Sequence, residues 1–530
     1  MFSYIKQLAE KLNNTKTYLV LTNVLLVFFL ILFNNLGVLP MRTGDFVFFA
    51  ILILAFALYR PGWAFMLFMG TIALENINLA PERLGIAVRP YQLIGGLLFL
   101  AIAIRFFSKK LYFKLAKLSW TDYLVFLIPL ASLFSIFNSQ NPKAELKFAL
   151  ILFSFAAMFI LVKNYIQNSS DLKKSLPFFL SSTFVITLYG FWQNVRFAKG
   201  LSSFSVMPGR PNGTLTEPDW LGLFLILILA SVYALIYFIT QKSDDTKLVR
   251  RIGLLSGYSY LMLAFALLLV SVSRSAWLGA IAMTIVFLVA IFTNLKLNFR
   301  EWQWKSTIKI KLGIIATFIV SLGVICCFPL TTFQLFNRAV STGGTQKITI
   351  SCESNIALPE KISSLEDLTA LNCRHINLEE ITAEKNQGRF VTEINRTDPN
   401  VNVRAEVYRK SFAQIKTHPI LGIGWANIPT VLGKDARGAN LNSSNIFLET
   451  YLGSGLIGFL SLIILLGTIF VRAIIAFFRE ADLEQKTFAL FILTSWTGLV
   501  IFNLFNAGIM LGFFWVWLGV ASALKTVSYK

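Results

Sequence analysis

Runs of apolar residues, each about as long as a bilayer-crossing helix, set the terms for anything this chain can fold into. They fall at roughly 18–38, 45–59, 62–74, 91–106, 122–137, 145–163, 175–194, 218–240, 252–272, 275–293, 311–330, 455–477, 486–506 and 508–524. A membrane helix needs about 20 such residues, or fewer where neighbours shield its ends. The chain has 530 residues, of which 56% are hydrophobic and only 14% charged, whereas an ordinary soluble domain carries about 25% charged residues. That contrast excludes a soluble enzyme and a disordered or fibrous chain. The expected fold is all-α: a polytopic integral membrane protein of about 12–14 transmembrane helices. The second and third runs are short and separated by Pro61, so they read either as two spans or as one broken or re-entrant pair.

The net charge is 48 − 27 = +21, which in a soluble chain would suggest nucleic acid. Its distribution rejects that partner. Residues 331–444 hold 13 Lys/Arg and 11 Asp/Glu, only +2 of the total. The remainder lies in short loops: Arg105/Lys109/Lys110/Lys114/Lys117, Lys163/Lys173/Lys174, Lys242/Lys247/Arg250/Arg251, Lys296/Arg300/Lys305/Lys309 and Arg472/Arg479. These clusters alternate along the chain, and the positive-inside rule puts all of them, with both termini, in the cytoplasm. The first run follows Lys6, Lys11 and Lys16, is too long for a signal peptide and lacks a small-residue cleavage site, so it is expected to stay in the membrane. Loops 195–217 and 331–444 and the turn at Ser273–Arg274 then face outward.

Three parts follow: N-terminal spans 1–330 carrying loop 195–217, a large outer loop 331–444, and C-terminal spans 445–530. The first half of the large loop is polar and holds Cys352 and Cys373. In an oxidising compartment the pair reads as a structural disulfide, with two free thiols as the alternative. Cys326 and Cys327 fall inside a run and read as small buried apolar residues. Residues 403–417 have a helical pattern, with Val407, Tyr408, Phe412 and Ile415 near one stripe, Glu406–Lys410 as an i,i+4 pair and Pro419 as the stop. Arg404, one turn before Tyr408, would point at the membrane surface.

Motifs for nucleotide binding, a serine nucleophile or a metal site are missing from the sequence, which has just two histidines, His375 and His418; neither a metal nor a cofactor is expected. Outward arginines beside polar breaks remain. Arg274 lies in a turn between two spans, and its candidate partner is a pyrophosphate, which guanidinium binds bidentately; snorkelling to headgroups is the alternative. Arg210 sits in the Gly/Pro-rich loop Pro208–Gly222, where Asp219 is placed to cap the next helix. Asn445 and Glu449, i and i+4, enter the membrane from outside after Pro419-Ile-Leu-Gly422-Ile-Gly424-Trp425. Glu449 reads as a functional carboxylate or as a satisfied interfacial one.

Four of these stretches, in this order and topology, resemble the O-antigen ligase / O-antigen polymerase superfamily, the Wzy-C group of lipid-linked glycan transferases. Arg274-Ser-Ala-Trp-Leu278 resembles its RxxxL element, and Arg210-Pro-Asn-Gly213-Thr with Glu217-Pro-Asp219 its R-x-x-G-T-x-x-N-P-N loop. Arg404 leading to His418-Pro419-x-x-Gly422-x-Gly424 resembles the outer-loop helix and hPxxGxG element, and Ser444-Asn445 with Gly455 the H-N-x9-G motif. The resemblance implies a GT-C-like fold in a bacterial inner membrane with a periplasmic active face. It implies a donor glycan on undecaprenyl pyrophosphate, a glycan or lipid acceptor, and contact with membrane lipid. Arg274 and Arg404, with Glu217, Asp219 and Glu449, become the catalytic candidates; Arg210, Tyr408, His418, Ser444 and Asn445 become the substrate contacts. Ser444 stands where the family has histidine, and Glu217 and Asp219 where it has asparagines. The first departure shifts weight from ligase to polymerase and leaves open a catalytically altered member. A transporter of inorganic carbon or of a lipid-linked substrate is the main other class; few midplane charges and no evident inverted repeat count against it. A scaffold using 342–400 is another.

Overall fold

The computed structural model describes residues 15–207, 209–242, 246–294, 302–331, 335, 345–354, 358–362, 366–376, 381–397, 399–434 and 440–524. Lys6, Lys11, Pro208, Lys296 and Arg300 lie outside the described residues. Before the large loop run α1 (Thr15–Asn35), α2 (Thr43–Tyr59), α3 (Pro61–Thr71), α4 (Pro90–Phe107), α5 (Trp120–Phe134), α6 (Pro142–Tyr165), α7 (Ser169–Ala198), α8 (Pro218–Gln241), α9 (Lys247–Val270), α10 (Arg274–Thr293) and α11 (Trp304–Cys327). The loop carries α12 (Pro399–Thr417), and α13 (Ile446–Arg479), α14 (Leu483–Asn503) and α15 (Gly512–Ser522) follow it. Among the described residues eleven helices are long and apolar enough to cross a membrane; α2, α3 and α15 are shorter.

The short pair at Pro61 is a hairpin. The Met41 amide, just before α2, donates to the Leu79 carbonyl, beyond α3, at 3.2 Å, so the chain has come back to the end from which α2 started. Proline at the first helical position of α3 fits there because its missing N–H has no intrahelical partner anyway.

Burial divides the helices. α8 is apolar all round and buried along nearly its whole length, as expected of a helix at the centre of a bundle. α2 buries only Ala57, and large apolar side chains such as Phe48, Ile281 and Ile319 are exposed around the periphery. On a soluble protein this would be an implausible apolar surface; in a bilayer it is the lipid face. Cys326 and Cys327 belong to that surface, at the end of α11. They are exposed, contrary to the sequence reading, because they lie on an outer helix and not inside the bundle.

The bundle has two chemically different ends. At one, Arg105 Nε donates to the Leu58 carbonyl at 2.9 Å, Lys163 pairs with Asp122, Lys173 with Glu484, and Arg250 Nη2 reaches the Thr240 carbonyl at 2.6 Å. At the other, the loops are tied to one another, as when the Asn76 amide donates to the Thr214 carbonyl at 2.8 Å. The basic clusters and the large loops are thus at opposite ends.

The first half of the large loop departs from its expected character. It folds a four-stranded sheet of β1 (Thr345–Cys352), β2 (Lys361–Ile362), β3 (Cys373–His375) and β4 (Phe390–Thr397) in the order β2-β4-β1-β3. Alternation puts Ile348, Ile350 and Cys352 on one face, over a small core with Ile362, Leu368 and Ile394. Cys352 is opposite Cys373 in the β1–β3 register, and the two are disulfide-bonded. Behind the sheet, Glu384 accepts from the Ser351 hydroxyl at 2.6 Å and from Arg374 at 2.7 Å. These partners hold its carboxyl below the usual carboxylate range.

Candidate functional site

Glycines shape the loop before α8. Gly209 and Gly213 take positive φ, 74° and 55°, which costs glycine little. Gln193 on α7 accepts the Gly213 amide at 2.8 Å, and the Thr214 hydroxyl donates to the Ala73 carbonyl at 2.7 Å. The loop is fixed, and Arg210 with it: its Nε donates to the Ser271 carbonyl at 2.9 Å and its Nη2 lies 3.3 Å from Asp219. The expected capping by Asp219 is not what the chain does. Glu217 occupies the N-cap and Asp219 the second helical position, from which its carboxylate reaches Arg210.

Ser271, Val272 and Ser273 turn the chain from α9 into α10. Val272 is buried at φ 54°, a conformation a β-branched residue rarely adopts and one that costs about 1–3 kcal/mol. The turn delivers Arg274 as the first residue of α10. Neither Ser273 nor Glu217 caps its helix with its side chain. Two helix N-termini, each the positive end of a macrodipole, therefore begin beside arginines.

A segment that sequence reasoning passed over joins these turns to the large loop. After α14, Leu504-Phe505-Asn506 bonds in three directions. The Asn506 amide donates to Ser275 Oγ at 2.7 Å, the Leu504 carbonyl accepts from the Asn445 side chain at 3.1 Å, and the Phe505 ring lies 5.8 Å from the Arg404 guanidinium. The signal was modest: two asparagines, Asn503 and Asn506, and Gly508 between apolar runs. Arg404 itself is exposed, and α12 begins at Pro399, four residues before the expected start. Val407 is buried, Tyr408 and Ile415 half-buried, and Phe412 exposed, so the apolar stripe is narrower than expected. Glu406 bonds Arg409 more closely, at 2.7 Å, than its expected partner Lys410, at 3.8 Å.

The remaining candidates separate from this group. Asn445 is the N-cap of α13: its Oδ1 accepts the amides of Phe447 and Leu448 at 2.9 and 3.2 Å. Glu449 is 9% exposed and accepts the Ser443 amide at 2.7 Å. Ser444, at φ 51°, is half-buried and bonds Asn442. His418 is half-buried at the end of α12; among the described residues no hydrogen bond or ion pair joins it to an arginine.

The segment after His418 is a clasp. At Gly455 (φ 61°) α13 breaks its helical backbone. Into the gap goes the 420–424 segment: the Leu456 amide donates to the Ile420 carbonyl at 3.0 Å, and the amides of Ile423 and Gly424 donate to the Leu452 carbonyl at 2.8 and 3.1 Å. A Cβ on Gly455 would sit 2.0 Å from the Ile420 oxygen, and one on Gly424 2.5 Å from Glu145. Buried Glu145 on α6 accepts the Ala426 amide at 2.8 Å and the hydroxyls of Ser132 and Ser135.

A second buried carboxylate, Glu75, escaped the sequence reading. It accepts from the Tyr91 hydroxyl and the Gly512 amide, each at 2.9 Å, and pairs with Arg89 at 2.8 Å. Burial is the larger influence and pushes its carboxyl above the ordinary range despite the arginine. It ties α15 to the start of α4.

The architecture defines a class: a polytopic membrane protein whose loop end carries Arg210, Arg274 and Arg404 near positive helix ends. Residues 259–463, from α9 through the large loop into α13, match the family model described as O-antigen ligase. Over this segment the chain is similar to the O-antigen ligase family. Among curated proteins none matches the chain.

Proposed function

We propose that the chain transfers glycan from undecaprenyl pyrophosphate to an acceptor hydroxyl at the periplasmic face of a bacterial inner membrane, with both termini cytoplasmic. What supports this most is a chain of contacts: Arg210 holds Asp219 and the Ser271 carbonyl, while Asn506 bonds Ser275, next to Arg274, and its neighbour Phe505 lies beside Arg404. The acceptor oxygen attacks the anomeric carbon and forms the new C–O bond. The bond from that carbon to the pyrophosphate breaks, and undecaprenyl pyrophosphate leaves. Negative charge grows on the leaving group, and preorganised guanidinium groups with uncapped helix N-termini stabilise it without a metal. The acceptor proton passes to Asp219, which is partly exposed and already beside Arg210; Glu217 is the neighbouring alternative. Glu449 is buried and engaged, and in this reading it positions the turn that contains Ser444. Tyr408 on α12 and His418 just beyond it face the acceptor glycan.

Polymerisation is favoured modestly over ligation, since Ser444 cannot act as the family histidine does. The test is reconstitution of the purified protein with lipid-linked oligosaccharide from its host. A ladder of longer lipid-linked chains without added acceptor means polymerase, and product formed only with a lipid acceptor means ligase. No product under either condition overturns glycan transfer.

A further inference from the structure

Far from the arginines, a cavity of about 200 Å³ runs between α3, α7, α8, α14 and α15. Apart from Lys173 and Glu484 at one end, its polar lining groups are already spent on the protein. Ser175 bonds the Asp171 carbonyl, Ser231 the Leu227 carbonyl, Thr487 the Leu483 carbonyl, and the Trp517 indole Ser495, at 3.2, 2.8, 2.7 and 2.9 Å. Ser169 accepts from Gln485 at 3.0 Å. A water needs two to four polar partners to be held in such a place, and here it would find carbon. An empty apolar void also forfeits dispersion contacts along its whole wall. A hydrocarbon is the occupant that such a lining suits.

Its length and its open end identify the hydrocarbon further. The lining extends from Ser169 to Phe179 on α7 and from Leu227 to Phe238 on α8. At 1.5 Å per residue these stretches are about 15–17 Å, near half of a ~30 Å hydrocarbon core, which is the depth of one leaflet. The charged residues of the lining, Lys173 and Glu484, sit at the basic end, whereas Ile72 and Phe513 close the far end. Lys173 and the adjacent Lys174 are exposed, at 61% and 62% of their side chains, and their ion pairs with Glu484 and Asp171 are solvent-facing. Such pairs bind weakly and leave the ammonium groups able to meet a phosphate.

We infer that this cavity is a phospholipid site: one acyl chain from the leaflet at the basic end fills it, and the headgroup phosphate rests on Lys173 and Lys174. The site is separate from glycan transfer and serves to complete the packing of α7 and α8 against α14 and α15. The test uses the full chain, delipidated in detergent and re-exposed to palmitoyl-oleoyl phosphatidylglycerol, with bound lipid read by native mass spectrometry. The wild type should retain one phospholipid and gain thermal stability from it. Lys173→Glu and Lys174→Glu, at surface positions that leave the bundle intact, should each lower retention about fivefold. Ala234→Phe, which fills the cavity from α8, should abolish retention and make stability independent of added lipid. Three results overturn the inference: no phospholipid retained by the wild type, equal retention by all three variants, or a polyprenyl species as the retained lipid. None of them bears on glycan transfer, which is read from product.

Discussion

The Arg210/Arg274 turns and the Pro419–Trp425 clasp both resemble family motifs, yet the structure treats them differently. At the clasp the amides of Gly422, Ile423 and Gly424 and the carbonyls of Ile420 and Gly422 are all bonded, and glycines are jammed against carbonyls and a carboxylate: Gly455 against Ile420, Gly424 against Glu145. At the arginine turns two helices start without side-chain caps, and Val272 holds a strained backbone. One motif is spent on holding the large loop to the bundle, and the other keeps its positive ends free of side-chain caps. A motif match locates a constraint, and only the hydrogen-bond accounting says whether that constraint is architectural or chemical.

That difference can be broken experimentally. Arg274→Ala should lower glycan transfer by about 10²–10³, the cost of losing one preorganised charge-stabilising donor, while the protein still inserts and melts normally. Normal transfer by this variant would sink the mechanism. Gly455→Val should act the opposite way: the side chain meets the Ile420 oxygen, and the expected result is a loss of folded protein of several kcal/mol. Activity per folded molecule should be kept wherever folded protein survives, and Gly467→Ala, whose Cβ meets nothing within 4 Å, is the matched control. If Gly455→Val folds normally but cannot transfer glycan, the clasp belongs to the site and the contrast collapses.

Smaller effects sharpen the picture. Phe505→Ala should reduce transfer less than Arg404→Ala does, by roughly tenfold or less, because a cation–π contact at an exposed site is worth only about 0.5–1 kcal/mol. Equal losses would mean that Phe505 touches substrate itself. The smallest effect concerns the sheet. Glu384 has a folded pKa below its unfolded value, so its contribution to stability is complete above the usual carboxylate range and fades as pH falls through the depressed value. Acid titration of the sheet's melting, followed by a probe near Phe390, should show that loss, and Glu384→Gln should remove it. Glycan transfer by Glu384→Gln should match wild type, since the sheet is built on its own small core.

The legible part of the fold was the part with a long period. Fourteen apolar runs predicted the bundle helices, including both halves of the pair at Pro61, because a bilayer imposes length and composition on every span. The sheet was not legible: its strands are short, and their alternation is diluted by polar residues on the solvent side, as Thr349 stands between Ile348 and Ile350. For the site, Arg210 and Arg274 stood out because arginine beside an apolar run is costly and rarely accidental. Asn506 and Phe505 did not, since an asparagine and a phenylalanine at a span end carry no such penalty. For Asp219 only the capping alternative fails, because residue type and position suit a cap as well as they suit an ion pair with an arginine nine residues away.

The sequence alone determined that the chain spans a membrane many times, that its charge lies in short loops, and that arginines stand at turns between spans. Those properties come from solvation, which each residue feels locally. Only the tertiary structure decided which turns meet, that Asn445 and Glu449 are spent on a helix start, and that a 504–506 turn binds Arg274's helix to Arg404's. The meeting of the turns depends on groups as far apart in sequence as Asn506 and Ser275 finding each other, and no local pattern encodes that pairing.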